Sequence, residues 1–181
     1  MTKTQSIKKF QPFFHENLDI KNELLQLARN AKTGEKKLET DLASVLIYSN
    51  IAEYLAEHLL STLNHFIHQV SYTNYAAILY VNSVFKSGRK MTLNQTVEEI
   101  EKFQFPDKEN ILKNLKNIAE SRNRLFHNFA KSNLSEIQNL LATDLPIIQN
   151  ECEEVITRIN TVYAGLQKIL LPQQSNSPVQ K

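Results

Sequence analysis

Between residues 37 and 70 the apolar side chains return every third or fourth position: Leu42, Val45, Leu46, Ala52, Leu55, Ala56, Leu59, Leu63, Phe66 and Val70, with Ser49 the small polar residue on the stripe. That rhythm lays them along one side of a helix with 3.6 residues per turn. It predicts a long amphipathic helix from about Lys37 to Val70. A shorter one, Asn17 to Asn30, carries Leu18, Leu24, Leu25, Leu27 and Ala28 on its apolar side and ends at the breaker Lys32-Thr33-Gly34-Glu35-Lys36. Ser71 or Thr73 caps an expected helix from Asn74 to Lys86, stopped by Gly88. Thr92 and Gln95 spell a capping box for a short helix ending near Phe103. Pro106 and Asp107 open a helix to about Ala130. Asn133 with Glu136 caps a short segment to Leu141. Asp144, with Pro146 tolerated in the first turn, starts a last helix to about Leu171.

Long helices joined by short connections predict an all-α, up-and-down bundle of four to five main helices. Residues 1–16, with Lys3, Lys8 and Lys9, are expected as a basic arm. Residues 17–171 are expected as one helical domain, and 172–181, rich in Pro, Gln, Ser and Asn, as a disordered tail. Composition narrows the picture in two ways. Three glycines and five prolines in 181 residues are too few for the many turns of an all-β or doubly wound fold, and no glycine-rich phosphate loop is present. With 21 basic against 19 acidic residues, the charge excludes a general nucleic-acid coat, so any such contact is local. The lone Cys152 excludes an internal disulfide framework. No apolar run reaches the length of a membrane span and no signal-peptide core is evident, so the expectation is a cytoplasmic protein with no membrane partner.

One helix breaks its own pattern. From Pro106 the apolar stripe runs Ile111, Leu115, Ile118, then position 122, then Leu125, Phe126 and Phe129, and position 122 is arginine. A guanidinium on a buried stripe has to be paired with a carboxylate, or has to face a solvated cleft or an interface. Glu53 and Glu120 are the carboxylates considered for such a pair. Asn123 follows directly, and His127 stands one turn beyond Asn123 on adjacent turns of one face.

Arg122-Asn123-x-x-x-His127 resembles the signature of the HEPN superfamily, an Arg separated by four to six residues from a His, usually with a polar residue directly after the Arg. The motif covers six residues. The architecture resembles the family over roughly residues 39–170, with the signature on a late helix followed by one more long helix. What the resemblance implies is a metal-independent endoribonuclease of toxin–antitoxin or phage-defence type, working as a homodimer in which two motifs share a cleft, with RNA as substrate and no cofactor. In that reading His127 is general acid or base, Arg122 clamps the scissile phosphate and Asn123 orients either group. An antitoxin or regulatory protein is an implied partner. Many HEPN-like bundles only bind nucleotide, RNA or protein, so a non-catalytic binding module is the alternative, and a purely structural helical module is a third class. Family members controlled by AMP transfer extend the signature to a Tyr two residues after the His. Here that position is Phe129, so control by a binding partner or a conformational trigger is expected instead.

The remaining candidates surround the motif. The resemblance implies a polar or acidic residue on the helix that faces the motif, so Asn50 and Glu53 of the long helix are expected to support the site. Arg124, Asn128 and Lys131 are candidates to touch the RNA backbone, as part of a polar stripe with Asn110, Asn114, Asn117 and Ser121 that a solvated helix face explains equally well. His58, His65 and His68 share a helix, but no carboxylate or thiol is placed to complete a metal site with them, so none is expected.

Overall fold

The computed structural model describes residues 18–30, 38–71, 91–129 and 131–170. These form α1 (Leu18–Asn30), α2 (Leu38–Ser71), α3 (Leu93–Glu101), α4 (Lys108–Phe129) and α5 (Leu134–Leu170), with no strand among them. The all-α class is therefore as expected. The expected helix Asn74–Lys86, the arm 1–16 and the tail 172–181 lie outside the described residues.

The boundaries follow local chemistry. At α3 the amide of Gln95 donates to Thr92 Oγ1 at 3.4 Å while the Thr92 amide donates to Gln95 Oε1 at 3.0 Å, the reciprocal capping box that the sequence spells. Asn133 and Glu136 close the same kind of box at the start of α5, at 3.0 and 3.1 Å. At the start of α4, Asp107 adopts a left-handed backbone with φ 62, which its short polar side chain tolerates better than most. Its carbonyl accepts from the Ile111 amide at 3.1 Å, and its carboxylate accepts from Asn110 at 2.5 Å.

The expected break between Leu141 and Asp144 does not occur. Residues Leu134–Leu170 are one helix with Pro146 inside it. Proline cannot donate to the carbonyl four residues earlier, at Ala142, and its ring crowds that carbonyl. Both Ala142 and Pro146 are exposed, so the disturbance falls on the solvent side of the helix. Meanwhile Leu141, Leu145, Ile148 and Cys152 continue a single buried stripe through the proline. Asp144 is no cap: it is fully buried mid-helix, for a reason given below.

The core is the meeting of three stripes: Val45, Tyr48, Ala52, Ala56 and Leu59 from α2; Ile111, Leu115, Ile118 and Leu125 from α4; Ile148, Val155 and Ile159 from α5. The short α3 lays Leu93, Val97 and Ile100 onto α2 and α4. α4 and α5 pack most extensively and run antiparallel, whereas α2 runs the same way as α5: the Cys152 thiol donates to the Tyr48 carbonyl at 3.6 Å, and His58 Nδ1 meets the Tyr163 hydroxyl at 2.8 Å. Leu27, Leu46 and Phe126, expected on apolar stripes, are exposed because each lies on the flank of its stripe, beyond the reach of the neighbouring helix.

This packing sets a contrast in stability. Ile148→Ala removes a fully buried side chain at the centre of the three-helix contact and is expected to cost about 2–5 kcal/mol. Leu134→Ala, at an exposed site in the first turn of α5, is expected to change stability by less than about 0.5 kcal/mol. Urea unfolding of both variants checks the difference.

Candidate functional site

Four arginines fall among the described residues, Arg29, Arg122, Arg124 and Arg158, and each is bonded to a carboxylate on another part of the fold. They differ in how. Arg29 on α1 grips both carboxylate oxygens of Glu153 on α5, through Nε at 2.7 Å and through Nη2. Arg124 on α4 grips both oxygens of Asp144 on α5, through Nε at 3.1 Å and through Nη2. Arg158 on α5 bridges Asp107 at 2.6 Å and Glu154 at 3.1 Å. Arg122 makes one hydrogen bond among the described residues, from Nη1 to Glu53 Oε1 on α2. Its guanidinium lies 5.9 Å from the centre of the Phe126 ring, within range of a cation–π contact. Both Arg122 and Glu53 keep a third of the side chain exposed.

The arginine on the apolar stripe is thus paired, and its partner is Glu53, one of the two facing-helix residues singled out from sequence. Asn50 is not brought to the motif: its amide oxygen accepts from Lys21 of α1 at 2.7 Å. Asn123 and His127 are exposed on α4, His127 in its last turn. Asn123 sits about 40° around the helix from His127, whereas Arg122 sits about 140° from it, toward α2.

The polar stripe of α4 has a different use from the one weighed for RNA. Asn114 donates to Glu154 at 3.0 Å and Asn117 to Glu151 at 2.9 Å. Together with Arg124–Asp144 and Arg158–Asp107 these bonds form a polar seam along the antiparallel α4–α5 pair. Asn128 turns back to donate to the Arg124 carbonyl at 2.8 Å. Of the three residues considered for RNA backbone contact, Arg124 and Asn128 are therefore engaged by the fold, and Lys131 is exposed. The sequence reading missed the Arg124–Asp144 pair. The signal was present: Asp144 falls between Leu141 and Leu145 on the buried stripe of α5.

The other chemistry-bearing groups are held inside. Cys152 is fully buried, and burial pushes its thiol up to about 12, so it carries no thiolate at neutral pH. Burial likewise raises the Tyr163 hydroxyl, whose partner is His58, one of the histidines considered above. Among the described residues no three metal-ligating side chains converge. A shallow groove of about 480 Å³, lined by Asp107, Glu153, Glu154, Thr157, Arg158 and Thr161, opens at the other end of α4, about 22 Å along the helix from Arg122. Among the described residues no helix is long and apolar enough to cross a membrane. Comparison with protein-family models, with curated proteins and with solved structures finds no match for the chain.

Two outcomes follow from the seam. Arg124→Ala strands a fully buried carboxylate and is expected to cost about 3 kcal/mol, whereas Asp144→Asn leaves a half-exposed guanidinium free to turn to water and is expected to cost about 1 kcal/mol. Chemical denaturation of the two variants at neutral pH tests that order. The second outcome concerns acid. Bonds from Asn110 and then Arg158 hold Asp107 below its ordinary 3.8, and bonds from Asn114 and then Arg158 hold Glu154 below its ordinary 4.5. Groups whose acidity is strengthened by folding stabilise fully above their unfolded values and lose that contribution as pH falls through the lower folded ones. Urea midpoints measured from about pH 6 down to pH 3 are expected to fall, and to fall less steeply in Arg158→Gln, which has lost the shared partner.

Proposed function

We propose that this chain is a HEPN-like, metal-independent endoribonuclease whose site is built on the C-terminal half of α4, with RNA as substrate and a second copy of the chain as partner. The observation that carries the reading is the state of Arg122: of the described arginines it alone is held through a single bond. It keeps donors of its planar fork uncommitted and partly exposed, directly before Asn123 and five residues before His127. A planar fork with free donors matches the oxygens of a phosphodiester. In this reading Arg122 stabilises charge on the scissile phosphate and Asn123 orients it, and Glu53 of α2 is the carboxylate paired with Arg122.

The chemistry needs two proton transfers. The ribose 2′-OH loses its proton to one imidazole as its oxygen bonds to phosphorus. The bond from phosphorus to the 5′-oxygen breaks, and that oxygen takes a proton from a second imidazole. The products are a 2′,3′-cyclic phosphate and a free 5′-hydroxyl. One His127 cannot be base and acid in the same step, and a two-fold pair of chains supplies both. The toxin–antitoxin or phage-defence setting, with an antitoxin or regulatory protein as control, rests on the family resemblance alone.

A second reading has an observation of its own in its favour. With Arg122 matched by Glu53 and Arg124 by Asp144, both arginines of this segment are already balanced by carboxylates, as suits a non-catalytic HEPN-like binding module.

The distinguishing experiment incubates the purified protein with single-stranded RNA, with and without EDTA. Cleavage to 2′,3′-cyclic phosphate ends is expected, unaffected by EDTA and lost in His127→Ala and Arg122→Ala while the helical circular dichroism persists. Light scattering at micromolar concentration is expected to give twice the chain mass. Undiminished cleavage in both alanine variants, or strict dependence on a divalent metal, overturns the assignment. Absence of cleavage by the wild type moves it to the binding module.

A further inference from the structure

We infer that Glu53 is a built-in competitor for the phosphate: its carboxylate, bonded to the fork of Arg122, is displaced when an RNA phosphodiester binds. The inference rests on reading Arg122 as the phosphate clamp, and it adds what controls that clamp.

The geometry argues for displacement through its contrast with the rest of the fold. Arg29 and Arg124 each close two bonds on one carboxylate, and Arg158 bridges two carboxylates; such grips combine charge with fixed direction. Asp144 is also fully buried, so releasing it would strand a charge out of water. Neither condition holds at Arg122. Its bond to Glu53 is single, and both side chains are one-third exposed, so a released Glu53 carboxylate has water within reach. Partly exposed ion pairs are weak, whereas a phosphodiester offers two oxygens to the same fork. Phe126 lies against the guanidinium and limits where it can go during the exchange. Paired with Glu53, the site is neutral and held in shape, and the cost of keeping it so is a lower affinity for any anion.

The test measures binding apart from cleavage, using a labelled single-stranded RNA with 2′-O-methyl riboses, which has no 2′-hydroxyl to attack. Glu53→Gln keeps the size of the side chain and removes its charge. It is expected to bind this RNA about fivefold more tightly than wild type, and the gain is expected to vanish in Glu53→Gln combined with Arg122→Gln. Weaker or unchanged binding in Glu53→Gln overturns the inference and makes Glu53 a positioning residue; a gain that survives in the double variant overturns it as a general charge effect. A second readout needs no variant at Glu53. In wild type, NMR of the Arg122 side-chain Nε–H and of the Glu53 carboxylate carbon is expected to shift together on titration with the same RNA. An arginine signal that moves while the Glu53 carbon stays still overturns displacement. The outcomes separate from those of the proposed activity: cleavage without any effect of Glu53 removes the competitor and keeps the ribonuclease, while Glu53-dependent binding without cleavage does the reverse.

Discussion

A carboxylate that water does not reach governs how this bundle is put together. Asp144 lies mid-helix on the buried stripe of α5, and the Arg124 fork from α4 is what makes its burial tolerable. That requirement fixes α4 against α5 in both register and rotation. Asn117–Glu151, Asn114–Glu154 and Asp107–Arg158 then fall into line as the chains run in opposite directions. An apolar interface alone tolerates sliding by a turn, because one leucine substitutes for another. A seam of directional hydrogen bonds, in which each donor needs its acceptor opposite, does not.

The rotation imposed by the seam reaches the candidate site. With Asn114, Asn117, Ser121 and Arg124 turned to α5, position 122 lies about 120° around α4, toward α2. Positions 123 and 127 are left pointing away from both neighbours, where they are exposed. Arg122 therefore meets Glu53 as a consequence of how α4 docks elsewhere. The preference for arginine in these ties has a physical basis: a planar fork fixes direction as well as charge, which an ammonium does not. The lysine pairs, Lys102–Glu99 and Lys116–Glu101, are exposed and contribute little.

Much of this was legible in the sequence, and the misses have a common cause. Local signals held wherever one helix decides its own fate. The two reciprocal boxes at Thr92–Gln95 and Asn133–Glu136, the start of α4 at Asp107 and the length of α2 all read correctly. The break expected at Asp144 and Pro146 failed because both residues are ordinary helix-start signals, and only a partner on another helix gives Asp144 a different role. The same limit applied to the α4 polar stripe. Asparagines and an arginine at helical spacing look alike facing water, RNA or the carboxylates of α5, and nothing in α4 itself names the acceptor. By contrast, the odd residue on an apolar stripe was informative, because an arginine there demands a partner, and Glu53 was among those the facing helices could offer.

The seam and the motif place opposite demands on the same helix. Stability asks each arginine of α4 to close on a carboxylate and stay closed, and Arg124 does so against a fully buried partner. Phosphodiester chemistry asks for a guanidinium that is held in direction yet able to change partners, and for an imidazole open to substrate. In the proposed reading α4 accommodates both because 3.6 residues per turn send positions 122 and 124 to different neighbours: 124 to the fully buried Asp144 of α5, 122 to the partly exposed Glu53 of α2. His127, about 140° from Arg122 on the same helix, is in that reading a single imidazole and serves as one proton carrier. For the proposed ribonuclease, a site made from this helix alone is half of an acid–base pair, and the proposed pairing with a second copy of the same face completes it.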